Sequence, residues 1–334
     1  MHVDVDTAVD RDVDLGRGLV LGPGGIIGTA WTAGLAHGLR HEGVDLGEAE
    51  LTVGTSAGAI VAAALSSGQD LERFAAPAPV AGPRPRTDAR LMGEVFAVLG
   101  NPGLEPAEAR RRVGRIALDH ADPEAEQALL AVRRALIGTD TWPDRRLLIT
   151  AVDAATGEPV VWDRSSGVPL TQAVAASSAF PGAAPPVTVQ GRRYMDGALR
   201  SGTNADLARG CRALLVVDPM AHLHPQEPRD TEPLGTEPRG TDPRGTEQVG
   251  AEPVGAEPVG AEPVGAELPV AGTDSVVTVV PDPASVRAFG ADLNDPAARE
   301  PAFRAGLHQA AAVVAQLRPW AAAKSGAAPR PTRP

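Results

Sequence analysis

Short runs of consecutive apolar residues, closed by glycine or turn residues, alternate along the chain with stretches of helical spacing. Gly18-Leu19-Val20-Leu21 predicts a buried strand, and Thr29 to about Glu42 predicts a helix with Leu35 and Leu39 on its sheet-facing side. A second strand is expected over Leu51–Val53, followed by a narrow helix carrying Ala57, Gly58, Ala59, Ala62, Ala63 and Ala64. Two successive strand–helix units form a βαβ arrangement, which gathers both glycine turns at the carboxyl ends of parallel strands, where open α/β sheets bind ligands. Helices are predicted over Leu91–Leu99, Glu105–Leu118 and Pro123–Ile137, with arginines on their wet faces. Arg146–Val152 and Pro159–Trp162 predict strands joined by a turn at Ala155-Thr156-Gly157. Thr171–Ser178 predicts a helix stopped at Phe180-Pro181-Gly182. Strands are expected over Val187–Gln190, Arg192–Met195, Ala213–Asp218 and Ser275–Val280, with a closing helix over Pro296–Leu317.

The pattern lapses in four places. Met1 to about Leu15 alternates Asp and Val without a helix signal, and Pro77–Arg86 is a proline-rich surface loop. From His222 to about Gly272 the chain repeats pentapeptides such as TEPRG and AEPVG. Proline and glycine at that frequency stop both helix and ladder, and the repeat offers almost nothing to bury, which predicts disorder; a pentapeptide solenoid would need a regular inward apolar residue. The expected organisation is a disordered acidic tail over 1–15, one domain over 16–320 interrupted by the insertion 222–272, and a disordered tail over 321–334.

Composition narrows this picture. Hydrophobic residues make up 43% of the 334, but aromatics only 3%, so the core is mostly Ala, Val and Leu. Such a core suits helices packed closely on a parallel sheet. The net charge of −11 argues against nucleic acid as a partner and against electrostatic adsorption to an anionic bilayer. A lone cysteine, Cys211, excludes an intramolecular disulfide and a thiolate metal cluster, and reads as a buried thiol. The acidic N-terminus has no apolar segment of a signal peptide, and no apolar run is long enough to span a bilayer, so a cytoplasmic location is expected.

The candidate chemistry sits on the second strand. Gly54-Thr55-Ser56-Ala57-Gly58 is a G-x-S-x-G sequence between a strand and a helix, the pattern of a nucleophile elbow that exposes its serine on a strained turn. The same pentapeptide also fits a plain glycine-rich turn with an incidental serine. A nucleophilic serine needs a base and donors for the oxyanion. Donors are offered by the backbone of Gly24, Gly25 and Ile26, in the turn Gly22–Gly28 ahead of a helix N-terminus. That turn also resembles a dinucleotide loop, but the second strand ends in Gly-Thr-Ser rather than an acidic residue. It also lacks the lysine of a phosphate loop. For the base, His37 and His41 lie a turn apart on a helix, where a metal pair would need a carboxylate or third ligand, and the sequence offers none beside them. His222 and His224 adjoin the repeat, and His308 falls within a helix. Asp196, before Gly197-Ala198 at a strand end, is the better-placed acceptor, although Asp-Gly is also a common turn.

Taken together, Gly22–Gly28, Gly54–Gly58 and Asp196-Gly197-Ala198 resemble the patatin-like phospholipase family, with its glycine-rich loop, G-x-S-x-G elbow and late D-G-A/G motif. The run Ala176-Ser177-Ser178-Ala179-Phe180-Pro181-Gly182, Pro185-Pro186 and Tyr194 adds to the likeness. The resemblance covers most of Gly18–Asp218 and resumes near Pro281-Asp282-Pro283. It implies a three-layer α/β/α fold with a mostly parallel central sheet. It also implies a Ser–Asp dyad of Ser56 as nucleophile and Asp196 as base, an oxyanion hole at Gly24, Gly25 and Ile26, and hydrolysis of lipid or acyl esters. No cofactor or metal is implied, and transient contact with a membrane surface would accompany a lipid substrate. Two positions depart from the family pattern: Pro23 stands where glycine is frequent, and Ile27 where a cation is frequent. The alternatives are an α/β-hydrolase esterase with a Ser–Asp–His triad, and a catalytically silent scaffold on the same fold.

Overall fold

In the computed structural model, which describes residues 15–78, 87–223 and 273–323, the apolar runs form one eight-stranded sheet. The expected acidic tail up to residue 14, most of the proline-rich loop, the repeat from 224 to 272 and the residues after 323 lie outside the described residues. Five strands run parallel in the order β3 (Arg146–Asp153), β2 (Leu51–Gly54), β1 (Leu15–Leu21), β7 (Cys211–Val217) and β8 (Ser275–Val279). β4 (Pro159–Trp162) and β6 (Arg192–Asp196) pair antiparallel with β3, and β5 (Val187–Val189) pairs antiparallel with β6.

Alternation along the strands divides the core. Leu19, Leu21, Leu147, Ile149, Leu215 and Val217 meet α1 (Gly25–His41), α2 (Ala57–Ser66), α5 (Pro123–Ile137), α6 (Leu170–Ser177) and α8 (Arg299–Val313). Their neighbours in sequence face the other way. Val20, Val53, Leu148, Leu214 and Val216 pack on Leu207 and Ala208 of a short 3₁₀ turn. Val152 and Met195 pack on Val95 and Val113 of α3 (Ala89–Leu99) and α4 (Pro106–Asp119). The result is a three-layer α/β/α domain with a thinner second helical layer. Cys211 is buried and unpaired, and burial pushes its thiol up to about 11.

Three boundaries differ from the sequence reading, each for a backbone reason. Helix α1 starts at Gly25 instead of Thr29, because Gly28 N–H donates to Gly24 O at 2.7 Å and closes the first turn inside the glycine segment. Pro281-Asp282-Pro283, read as a strand end, opens the extra helix α7 (Pro283–Phe289): the Asp282 carboxylate caps Ser285 N–H at 2.6 Å, and Pro283 occupies the first turn, where no N–H is needed. The single closing helix is divided into a 3₁₀ turn at Pro296–Ala298, α8, a second turn at Val314–Leu317, and α9 (Arg318–Ala322) with Pro319 in its first turn. Helix α9 belongs to the domain: the Trp320 side chain is buried and its indole donates to Gly18 O at 2.7 Å.

Candidate active site

Strand register brings the two ends of the site together. β2 and β4 both pair with Ile149, so they occupy opposite edges of β3; β4 and β6 share Ala151 and Val152, so β6 lies on the same edge as β2. Gly54 ends β2 opposite Ile149, and Asp196 ends β6 opposite Ala151, one pleat further on. The chain therefore turns away into α2 at Ser56 where β6 delivers Asp196.

Ser56 has φ 54° and ψ −115°, a left-handed conformation rare for a residue with a side chain, at an order-of-magnitude cost of about 1–3 kcal/mol. The turn is held on several sides. Thr55 N–H donates to Leu21 O at 3.0 Å, Ser56 N–H to Ser177 Oγ at 3.0 Å, and Gly58 N–H to Gly22 O at 3.0 Å. Gly58 is there because of that close approach: a Cβ would stand 1.9 Å from Leu21 O. Gly22, which ends the β1 run, is tied to the next strand by its own N–H to Val217 O at 2.9 Å.

The Ser56 hydroxyl donates to Asp196 Oδ2 at 2.7 Å. Asp196 is only 1% exposed; its Oδ1 accepts from Ala198 N–H at 2.8 Å, and its own N–H donates to Ala179 O at 3.1 Å. Gly197 packs so tightly on β3 that a Cβ would meet Thr150 Oγ1 at 2.2 Å. Burial raises the Asp196 pKa to about 7, opposed by the Ala198 N–H, the Ser56 hydroxyl and the positive charge of Arg133. A carboxyl in that range exists in both protonation states at neutral pH, as a general base and acid requires.

The glycine turn supplies backbone donors beside this pair. Gly24 precedes α1, and Gly25 and Ile26 are its first residues, whose amides have no hydrogen-bond partner among the described residues. The next amide is occupied: Ile27 N–H donates to Leu293 O at 3.0 Å. The Ile27 side chain is fully buried in the core, so it belongs to packing.

Several contributors carry no sequence signal strong enough to single them out. Asn204, fully buried with φ 59°, places its amide nitrogen 3.0 Å from Thr55 Oγ1, 3.2 Å from Gly197 O and 2.8 Å from Ser201 O. It thereby joins the residue before the serine to the residue after the aspartate. Arg200 donates to Asn204 Oδ1 at 2.7 Å and pairs with Asp206 through two nitrogens, which fixes that orientation. Ser177, Ser178 and Ala179 were legible as part of a motif, but not for what each one holds.

The histidines lie elsewhere. His308 is exposed on α8, the His222 ring packs edge-on against Phe289, and His224 lies outside the described residues. His37 and His41 touch at 3.0 Å, and a carboxylate does accompany them: Glu72 is 3.4 Å from His37. Among the described residues no helix is long and apolar enough to cross a membrane.

A serine on a strand–helix elbow at the carboxyl edge of a parallel sheet, with a buried carboxylate as its partner, defines a hydrolase-like α/β/α protein. Residues 19–209 match the family model described as Patatin-like phospholipase, and the chain belongs to that family. Among solved structures it is similar to VipD from Legionella pneumophila, at 14% identity and a TM-score of 0.34 over 61% of this chain and 50% of that one. The match thus spans about half the length of that protein. No curated protein matches the chain.

Proposed function

We propose that the protein is a serine acyl hydrolase that cleaves carboxylic esters of lipids through a Ser56–Asp196 dyad. The observation that carries this reading is the 2.7 Å hydrogen bond from the Ser56 hydroxyl to a carboxylate whose pKa is near 7. In the first half-reaction Ser56 Oγ attacks the ester carbonyl carbon while its proton passes to Asp196 Oδ2. The amides of Gly24, Gly25 and Ile26 receive the oxyanion of the tetrahedral intermediate, assisted by the positive end of α1. Collapse expels the alcohol, which takes the proton from Asp196 and leaves an acyl-Ser56 ester. Water then attacks that ester, giving its proton to Asp196. The second intermediate releases the fatty acid as the proton returns to Ser56 Oγ.

Gly54 and Gly58 shape the elbow in this reading, Gly22 and Gly28 the oxyanion turn, and Gly197 and Ala198 the seat of the carboxylate. Contact with a lipid surface is supported by Phe96, 53% exposed on α3 and stacked 5.6 Å from Phe180, just beyond the Ser177–Ala179 segment. Covalent labelling by a fluorophosphonate, resolved by peptide mass spectrometry, tests the assignment. Ser56 is expected to carry the adduct and Ser56→Ala to lose it; equal labelling of Ser56→Ala would overturn the nucleophile.

A further inference from the structure

Ser56 and Asp196 are gripped from two sides, and the two grips differ in kind. On the first side the end of α6 holds backbone: Ser177 Oγ accepts the Ser56 N–H, and Ala179 O accepts the Asp196 N–H. Arg133 on α5 steadies that end, its Nε donating to Ser178 Oγ at 2.8 Å. On the second side one side-chain amide spans the gap. Asn204 Nδ2 lies 3.0 Å from Thr55 Oγ1, just ahead of the serine, and 3.2 Å from Gly197 O, just after the aspartate. Among the described residues no backbone–backbone hydrogen bond joins the elbow to the 196–203 segment. Both oxygens are within reach of a single nitrogen, so the two segments cannot part without breaking one of these bonds.

The orientation of that amide is imposed. Arg200 Nη1 can only donate and lies 2.7 Å from Asn204 Oδ1, so the Asn204 oxygen faces Arg200 and its NH2 group faces the gap. Arg200 is itself fixed by two bonds to the Asp206 carboxylate, at 2.9 and 2.6 Å. The amide hydrogens are shared among Thr55 Oγ1, Gly197 O and, within its own loop, Ser201 O at 2.8 Å. Asn204 is fully buried at φ 59° and ψ 33°, the left-handed region that glycine, asparagine and aspartate enter most readily. Of those three only asparagine brings N–H donors on its side chain, so the position uses both its backbone tolerance and its amide.

The bridge matters most in the second half-reaction. In the free enzyme the Ser56 hydroxyl also ties the two segments together, through its 2.7 Å bond to Asp196. In the acyl-enzyme Ser56 Oγ is an ester oxygen without a hydrogen, and that tie is gone. Water must then bond to the acyl carbon while its proton passes to Asp196 Oδ2. The tetrahedral intermediate next breaks its bond to Ser56 Oγ, which takes the proton back as the acid leaves. We infer that Asn204, oriented by Arg200 and Asp206, is a positioning residue that keeps Asp196 at its distance from the acylated Ser56 for this step. The inference rests on the acyl-hydrolase reading and adds which half-reaction the bridge serves.

The test is steady-state hydrolysis of p-nitrophenyl butyrate, whose good leaving group makes acylation fast. Rates are counted per site titrated with a fluorophosphonate, so an unfolded fraction does not enter. Asn204→Gly keeps the left-handed backbone and removes the amide; Thr55→Val keeps the side-chain shape and removes the oxygen that the amide grips. Each is expected to lower kcat by about ten- to hundredfold, while kcat/KM, which reports acylation, stays within about threefold of the wild type. Intact-protein mass spectra of quenched reactions are expected to show the butyryl adduct building up in both variants above the wild-type level. Thr55→Ser, which retains the hydroxyl, is expected to restore kcat. An unchanged kcat per site in either variant, with only a lower melting temperature, would overturn the inference and leave Asn204 as a brace. An equal fall in kcat and kcat/KM without adduct build-up would overturn it too. If Asn204→Gly does not fold, the Thr55 pair decides: loss confined to Thr55→Val supports the bridge, and equal loss in Thr55→Ser overturns it. A wild type that neither takes the probe nor hydrolyses the ester would instead overturn the acyl-hydrolase reading.

Discussion

Ser56 and Asp196 are each costly in isolation, and each is held in place by the other's surroundings. The serine occupies a strained backbone well, and the aspartate is a carboxyl with almost no access to water. Because burial lifts the Asp196 pKa from 3.8 to about 7, the folded protein binds that proton more tightly than the unfolded chain does. The stabilisation from the protonated form is therefore fully present below 3.8, declines as the pH rises, and is gone above about 7. In the proposed mechanism activity runs in the opposite sense, since only an ionised Asp196 could take the serine proton. We predict that kcat/KM on a soluble ester rises with pH to a plateau above about 7. Over the same range the melting temperature of Asp196→Asn should gain on that of the wild type, by about 1–3 kcal/mol of stability at pH 8. Parallel pH–rate and thermal-melt series check both; a rate profile flat from pH 5 to 9 would contradict the assigned base.

At the scale of elements, the site depends on one edge of β3 being used twice. β2 covers the first part of that edge and leaves as α2, and β6 covers the next part from the opposite direction. The elbow was legible from Gly54–Gly58, because a turn that sharp demands small residues at fixed positions. Asp196 was legible only through a family pattern, since Asp-Gly at a strand end is ordinary turn chemistry. Sharing of the β3 edge was not legible, because register between strands distant in sequence leaves no local signal. The roles of Asn204 and Arg133 were hidden for the same reason: each acts through a partner dozens of residues away or more. Gly58 tests the packing at this level. A methyl group there would run into Leu21 O, so Gly58→Ala is expected to destabilise the fold by about 3 kcal/mol or more in denaturant unfolding. Unaltered stability would mean that α2 is free to move off β1.

At the scale of the molecule, the short runs of consecutive apolar residues and the Ala-rich helices announced an α/β sheet protein, and nearly every predicted strand appears within a residue or two of its expected position. The C-terminal part was read less well, because prolines that look like breaks serve as helix starts at Pro283, Pro296 and Pro319. Those helices close the domain: Trp320 reaches back to β1 at Gly18, and the α8 segment supplies the Leu293 contact to the glycine turn just ahead of it. The whole arrangement thus serves to hold one hydroxyl against one carboxylate. Hydrolysis of a medium-chain lipid ester by Asp196→Asn, measured beside His222→Ala and His308→Ala, tests that most directly. The account predicts a fall in kcat of about 10³-fold or more for Asp196→Asn with its fold intact, and near wild-type rates for both histidine variants. Loss of activity in either histidine variant, with Asp196→Asn still active, would contradict the dyad and favour a triad.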